Sequence, residues 1–375
     1  MGKKVIVAGH ICLDITPVFD GRKVKQLGDI LTPGKLVHVG EADVHTGGSV
    51  ANTGLAMKIL GADVSLMGKV GDDVFGKIVC DVLQSYGADG GMIVSKEEST
   101  SYTVALAVPG IDRVFLHNPG ANHTFRADDI AQRDLEEAAL FHFGYPPIMR
   151  TMYEQGGAEL VAMMKRAKMC GAATSLDFAA VDPDSEAGQV DWRHILEQVV
   201  PYVDILVPSV EELCFMLDRE RFQEWQERAA GKDITEVLDV EKDVVPLADQ
   251  CMAFGAKILL IKCGAPGIYY RTANQQILSG VGGRLELDTV AWADKEGFEP
   301  SYVPEKVLSG TGAGDTSIAA FLTAMLKGYS PEMAMHLATA TGACCVEAYD
   351  ALGGLKSFAE LERKIAQGWK KNNED

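Results

Sequence analysis

The run Gly310-Thr311-Gly312-Ala313-Gly314-Asp315-Thr316-Ser317 sets glycines and a carboxylate directly before Ile318, Phe321, Leu322 and Met325, which recur at helical spacing. A glycine turn opening into a helix N-terminus can aim free backbone N–H groups at one point, where the helix dipole adds positive potential. Such a cradle suits an anion, above all the charge on a phosphoryl group in flight. Asp315, in the first turn, is placed to accept a proton from an attacking hydroxyl. The plain alternative is a tight turn whose Asp caps its helix. The turn is not a Walker A loop, because no Lys-Ser or Lys-Thr follows the last glycine. It is not a dinucleotide fingerprint either: it lies near the C-terminus, and the first apolar run ends in Gly9-His10-Ile11 without G-x-G-x-x-G.

A second glycine motif, Gly47-Gly48-Ser49-Val50-Ala51-Asn52-Thr53-Gly54, precedes a helical stretch ending near Gly61. Adjacent glycines let a ligand approach the backbone closely, and Asn52 offers both a donor and an acceptor. Asp14 lies just past the first apolar run, where the carboxyl ends of parallel strands usually bind ligands, and a carboxylate there can accept two hydroxyl protons. Those properties suit a polyhydroxylated ligand; a local turn with Asn52 bonded to its own backbone is the competing reading.

Positioning such groups requires a rigid sheet, and the sequence supplies one. Val5–Ala8, Val64–Met67, Leu140–Phe143, Thr174–Asp177, Ile205–Val207 and Ile258–Ile261 are apolar runs of strand length. Between them, Ala51–Leu60, Gly76–Tyr86, Gly157–Ala167 and Glu211–Leu217 carry helical period. This alternation predicts an α/β fold with a mainly parallel sheet covered on both faces. The chain is nearly all helical from Asp315 to about Gly368. Two stretches break the pattern, 14–46 (with Lys35–Val39 alternating) and 99–116, and are read as a small antiparallel sheet outside the main layer. Segments 218–248 and 281–305 are charged or loop-like and are read as peripheral insertions.

The composition of the 375-residue chain is globular, 47% hydrophobic and 23% charged. Its eight cysteines are scattered with no C-x-x-C, which predicts reduced thiols and a cytoplasmic protein. Eight histidines show neither H-E-x-x-H nor close pairing with cysteine, so no zinc site is predicted; His10 and His142 read as core or rim residues. Val5–Ala8 is too short for a signal-peptide core, and no stretch reaches membrane-span length. A formal charge of −18 without a basic block gives no footprint for nucleic acid.

The order of Asp14, Gly47-Gly48 with Asn52, Pro119-Gly120-Ala121-Asn122, Val207-Pro208-Ser209-Val210-Glu211-Glu212, Lys262-Cys263-Gly264-Ala265-Pro266-Gly267 and Gly312-Ala313-Gly314-Asp315 resembles the ribokinase-like carbohydrate kinases (the PfkB family), from about residue 3 to residue 360. The resemblance implies a three-layer αβα ribokinase-like fold, with residues 1–13, 47–98 and 117–375 as the main domain and 14–46 with 99–116 as a discontinuous β lid. It implies ATP and Mg²⁺, with a sugar between lid and main domain touched by Asp14, Gly47, Gly48 and Asn52. Ser209, Lys262, Gly264 and Gly267 would lie on the nucleotide side, and Glu212 would organise Mg²⁺ through water. Gly312, Ala313 and Gly314 would form the anion hole and Asp315 would be the base for in-line transfer. A homodimer through the lid is also compatible with the resemblance.

Three departures qualify it. Ser209 stands where the family often has Asn. Ser309-Gly310-Thr311 replaces a usual Asp-Thr-Thr, so a monovalent cation such as K⁺ is not carried over. Asp177-Phe178-Ala179-Ala180-Val181 lacks the Asn and Arg typical of kinases for keto-acid sugars. A nucleoside kinase, a sugar-phosphate kinase using Arg22, Lys23, Lys25, Lys35 or Arg113, and a non-catalytic sugar sensor remain as alternatives. From the lid or its border, Tyr102, Arg113 and Asn118 are further candidates to face the substrate.

Overall fold

Val5 and Val7 point to one face of a sheet and Ile6 and Ala8 to the other, and both sets are buried. That is the signature of a central strand covered twice. The computed structural model describes residues 2–19, 21, 23–111 and 114–372; Arg22 and Arg113 lie outside the described residues. Its main sheet has eight strands. From edge to edge they are Glu296–Pro300, Gly267–Thr272, Ile258–Lys262, Ile205–Leu206, Ala173–Asp177, Leu140–Gly144, Lys4–Gly9 and Asp63–Met67. The last six run parallel, and the first two add an antiparallel hairpin at one edge.

Helices Ser49–Ile59, Ala313–Leu326 and Pro331–Cys345 cover the Val5 face. Helices Ala158–Met169, Trp192–Val199 and Val210–Leu217 cover the Ile6 face. Helix Ala313–Leu326 is buried on every side from Asp315 to Met325, as its mostly apolar and small residues require. Gly9, Gly144 and Asp177 stand side by side in register. Their strands therefore end on one rim, which also receives Lys262 from the next part of the sheet and the N-terminus of helix Ala313–Leu326.

A four-stranded sheet stands beside this rim in the order Ala42–Gly47, Cys12–Pro17, Tyr102–Leu106, Val114–Asn118. Asp14 pairs with His45 on one side and Thr103 on the other. The alternating segment Lys35–Val39 is not one of these strands; it has no regular secondary structure, and Leu36 is 79% exposed. Alternation alone did not make it a strand, because Ala42–Gly47 holds the ladder position beside Cys12–Pro17. Segment 281–305 is likewise not wholly peripheral. Glu296–Pro300 is the edge strand of the main sheet, a place where Pro is tolerated because its missing N–H faces outward. Segment 218–248 sends Trp225 into the core, where its indole N–H donates to Asp243 at 3.1 Å. Among the described residues no helix is long and apolar enough to cross a membrane.

Candidate active site

A cleft of about 1980 Å³ lies between the small sheet and the rim of the main sheet. Asp14, Gly48, Asn52, Gly312 and Asp315 all line it, so residues from both glycine motifs meet in one space. Tyr102 and Asn118 line it from the small sheet, while Lys23, Lys25 and Lys35 are exposed outside it. No Lys or Arg among the described residues faces the cleft.

Asp315 is 4% exposed. Its Oδ2 accepts from Asn52 Nδ2 at 3.0 Å, its Oδ1 accepts from Thr53 Oγ at 3.2 Å, and the Tyr145 hydroxyl lies 2.8 Å from both oxygens. Burial raises its carboxyl above the ordinary value; the Lys262 charge and the three donors pull the other way. The result is a carboxylate fixed in orientation and more basic than a surface Asp, which suits proton removal near neutral pH.

The turn before Asp315 depends on glycine at one point. Gly312 is left-handed (φ 76°), and a Cβ there would come within 2.2 Å of the Ala351 Cβ. Ala313 N–H bonds back to Gly310 O at 3.3 Å and Thr311 N–H to Ser309 Oγ at 3.1 Å, so the turn is partly closed on itself. Gly314 is helical, and a Cβ on it would lie 3.4 Å from Lys262 Cδ and 3.7 Å from its Nζ. Lys262 thus ends beside the helix N-terminus. It is held there by Asp177, whose Oδ1 accepts from Nζ at 2.7 Å. Asp177 is fully buried, its Oδ2 has no partner, and burial, reinforced by the Glu212 and Asp315 charges against the pull of Lys262, raises its carboxyl to about 8.

In the N-terminal motif, Gly48 (φ 85°) lies so close to the chain at His10 that a Cβ would fall 2.5 Å from the His10 carbonyl. A Cβ on Gly47 would fall 2.0 Å from Asp14 Oδ2, so Gly47 makes room for that carboxylate. Both glycines thus make room for neighbouring parts of the chain; Gly48 lines the cleft and Gly47 does not.

Ser209, Glu212, Lys262, Gly264 and Gly267 lie outside the cleft. Ser209 bridges to Lys262 across the sheet. Ser209 Oγ accepts from Glu212 N–H at 3.2 Å and Glu212 Oε2 accepts from Ser209 N–H at 2.7 Å. The two residues therefore cap helix Val210–Leu217 reciprocally, which occupies one oxygen of Glu212. Gly264 packs against Thr235, and Gly267 O accepts from Cys263 N–H at 2.8 Å, closing the turn after Lys262.

Tyr145 is a candidate site residue that the sequence did not single out. The available signal was modest: an aromatic residue immediately after a buried strand and before Pro146-Pro147. Thr53 was also missed, as it reads as an ordinary helix residue.

The architecture is that of the ribokinase-like fold. Arabidopsis thaliana ribokinase complexed with ribose and ATP superposes with a TM-score of 0.70 at 19% identity, covering 97% of this chain and 98% of that one. Fructokinase with bound ATP from Xylella fastidiosa superposes with a TM-score of 0.70 at 18% identity, covering 99% and 100%. In sequence, fructokinase-1 of Zea mays is 25% identical over 97% of this chain and 98% of its own. Residues 3–356 match the pfkB family carbohydrate kinases, and the chain belongs to that family. It is accordingly an enzyme, a transferase of the carbohydrate kinase class.

Proposed function

We propose that the protein transfers the γ-phosphoryl group of ATP to a hydroxyl of a free, uncharged sugar, with Asp315 as the base. The observation that carries this reading is Asp315 itself: a buried, oriented carboxylate on the wall of a cleft and in the first turn of a helix whose N-terminus is bordered by Lys262. The sugar hydroxyl attacks phosphorus, the bond to ADP breaks, and the hydroxyl proton passes to Asp315 in one in-line step. Backbone N–H groups of Gly312 to Gly314 and the Lys262 ammonium face the charge on the transferred group, with Ala313 N–H turning from Gly310 O to do so. Asp14, Gly47, Gly48 and Asn52 hold the sugar from the opposite side.

The donors present fit a Mg²⁺ that arrives on the nucleotide: Glu212 has one carboxylate oxygen engaged by Ser209 N–H, and no group of three metal-ligating side chains occurs among the described residues. When bound, the ion would supply charge neutralisation on the phosphates, and Glu212 would be the residue to hold it through water. No K⁺ enters the proposal: Ser309 and Thr311, which stand where the family has Asp-Thr-Thr, bond to each other through their hydroxyls at 3.0 Å. A cytoplasmic location and a dimer joined through the small sheets accompany the proposal.

The cleft lining favours an uncharged sugar over a sugar phosphate, since among the described residues it carries Asp side chains and no Lys or Arg. The test is ADP release from Mg-ATP across free sugars, sugar phosphates and nucleosides. Acceleration by a free sugar supports the reading. Acceleration only by phosphorylated sugars overturns the uncharged acceptor, and silence across the panel from folded, ATP-binding protein overturns the kinase.

Gly47 gives a separate check on the sugar side. In Gly47→Ala the added methyl displaces the Asp14 carboxylate, which sits 2.0 Å from the position it would occupy. Sugar KM is expected to rise roughly tenfold, about 1.4 kcal/mol, with kcat nearly unchanged. Steady-state kinetics with an unaltered KM would count against Asp14 as a sugar ligand.

A further inference from the structure

Tyr145 stands in an unusual backbone state for a residue with a side chain. It is left-handed (φ 71°, ψ 40°), follows strand Leu140–Gly144 directly, and precedes Pro146 and Pro147. Single non-glycine residues held in that region are strained and persist where surrounding structure enforces them. Here the enforcement is visible. Tyr145 N–H donates to the Asp177 carbonyl at 3.2 Å, and its ring stacks at 6.2 Å on His10, which lies 5.3 Å from His117. The consequence is equally specific: the phenol hydroxyl lies 2.8 Å from each oxygen of Asp315.

That is the position an acceptor hydroxyl has to reach. A base removes a proton only from a group within hydrogen-bond distance, and in this structure the phenol holds that place. Burial and the Asp315 charge push the phenol's own ionisation well upward, so it remains a donor rather than a competing base.

We infer that Tyr145 guards the base against water: its hydroxyl shields both Asp315 oxygens until a sugar hydroxyl displaces it from one of them. The inference rests on the kinase reading above and deepens it. A hydrogen bond to a charged acceptor is stronger than one between neutral groups. A single water brings no other contacts to offset losing that bond. A sugar also binds through groups remote from the reacting hydroxyl, and this binding energy can offset the displacement. The reaction suppressed is ATP hydrolysis, in which water attacks the γ-phosphorus, ADP leaves and the water proton passes to Asp315. Tyr145 is thus a positioning and selectivity residue; the proton acceptor is Asp315.

The experiment compares sugar-independent and sugar-dependent ADP release from Mg-ATP in wild type and Tyr145→Phe. The expected result is a rise of about tenfold or more in the ratio of hydrolysis to sugar phosphorylation, with sugar KM unchanged or lower. A merely structural role would lower both rates together and leave their ratio fixed, and that outcome overturns the inference. Should Tyr145→Phe fail to fold, Tyr145→Asn removes the phenol with a residue that tolerates left-handed backbone, and the same ratio is read. Wild type without any sugar-dependent turnover would overturn the kinase reading and this inference with it. An active variant with an unchanged ratio overturns this inference alone.

Discussion

Asp315→Asn is expected to lower turnover by roughly a hundredfold to ten-thousandfold, the range attributed to a positioned general base, while the protein stays folded and still binds ATP and sugar. The side chains have nearly the same shape, and the local bonds can be remade. An amide oxygen can accept from Asn52 Nδ2 and the Tyr145 hydroxyl, while the amide nitrogen can donate to Thr53 Oγ, a group that accepts as readily as it donates. Stability should move the other way. The folded-state pKa of Asp315 is raised, so the native protein binds a proton that the unfolded chain has released. This contribution makes stability fall as pH rises from the ordinary carboxylate value of 3.8 through the raised one. A neutral Asn removes that penalty, and its melting temperature near neutral pH should equal or exceed that of wild type. Wild-type activity should fall on acidification at a pH above 3.8, where the base takes up its proton. Near-normal turnover in Asp315→Asn would remove Asp315 from the role of base.

The turn that carries Asp315 was legible in the sequence because it uses glycine. Gly48 and Gly312 have positive φ and closely approached neighbours, and a chain that needs such positions records them as glycine. Central strands such as Val5–Ala8 were legible because burial on two faces demands an uninterrupted apolar run. Edge strands answer to weaker demands. Glu296–Pro300 carries Gly, Pro and two Glu, and only its pairing with Gly267–Thr272 makes it a strand. Lys35–Val39 shows the converse, an alternating pattern left without a ladder partner. Tyr145 illustrates a third limit. Its left-handed backbone has no glycine to announce it, and its partner Asp315 lies 170 residues away. The pairing of Asp177 with Lys262 spans 85 residues and was hidden for the same reason. In sequence, Asp177 stood out chiefly for the Asn and Arg missing after it.

That ion pair carries the second large effect. Lys262→Met should reduce turnover by roughly a hundredfold and destabilise the fold, while Lys262→Met combined with Asp177→Asn should recover most of the stability and little of the turnover. The stability argument starts from Asp177, which is fully buried; among the described residues its Oδ1 is held only by Lys262 and its Oδ2 has no hydrogen-bond partner. Removing one member of a buried pair typically costs about 3–5 kcal/mol because the other charge is stranded, whereas replacing both with neutral groups can be close to neutral. Asp177 has a partial escape. Burial already raises its carboxyl to about 8, and without the Lys262 charge it rises further, so below about pH 8 the carboxyl of the variant holds its proton and the cost shrinks to that of a lost hydrogen bond, about 1–3 kcal/mol. Below about pH 8 both folded proteins carry that proton and lose stability in parallel, so the deficit of Lys262→Met relative to wild type should widen only above about pH 8, where wild type releases it and the variant does not. Turnover follows a different logic. The ammonium faces Asp177, Glu212 and Asp315 beside the helix N-terminus, where phosphoryl charge must be accommodated, and Asn cannot supply a positive charge there. Thermal melts between pH 6 and 9 and steady-state kinetics on the three variants separate the two effects. If the double variant regained turnover along with stability, Lys262 would be a structural counter-charge for Asp177, and stabilisation of the transferred phosphoryl group would rest on the backbone of Gly312 to Gly314 and the metal-bound nucleotide.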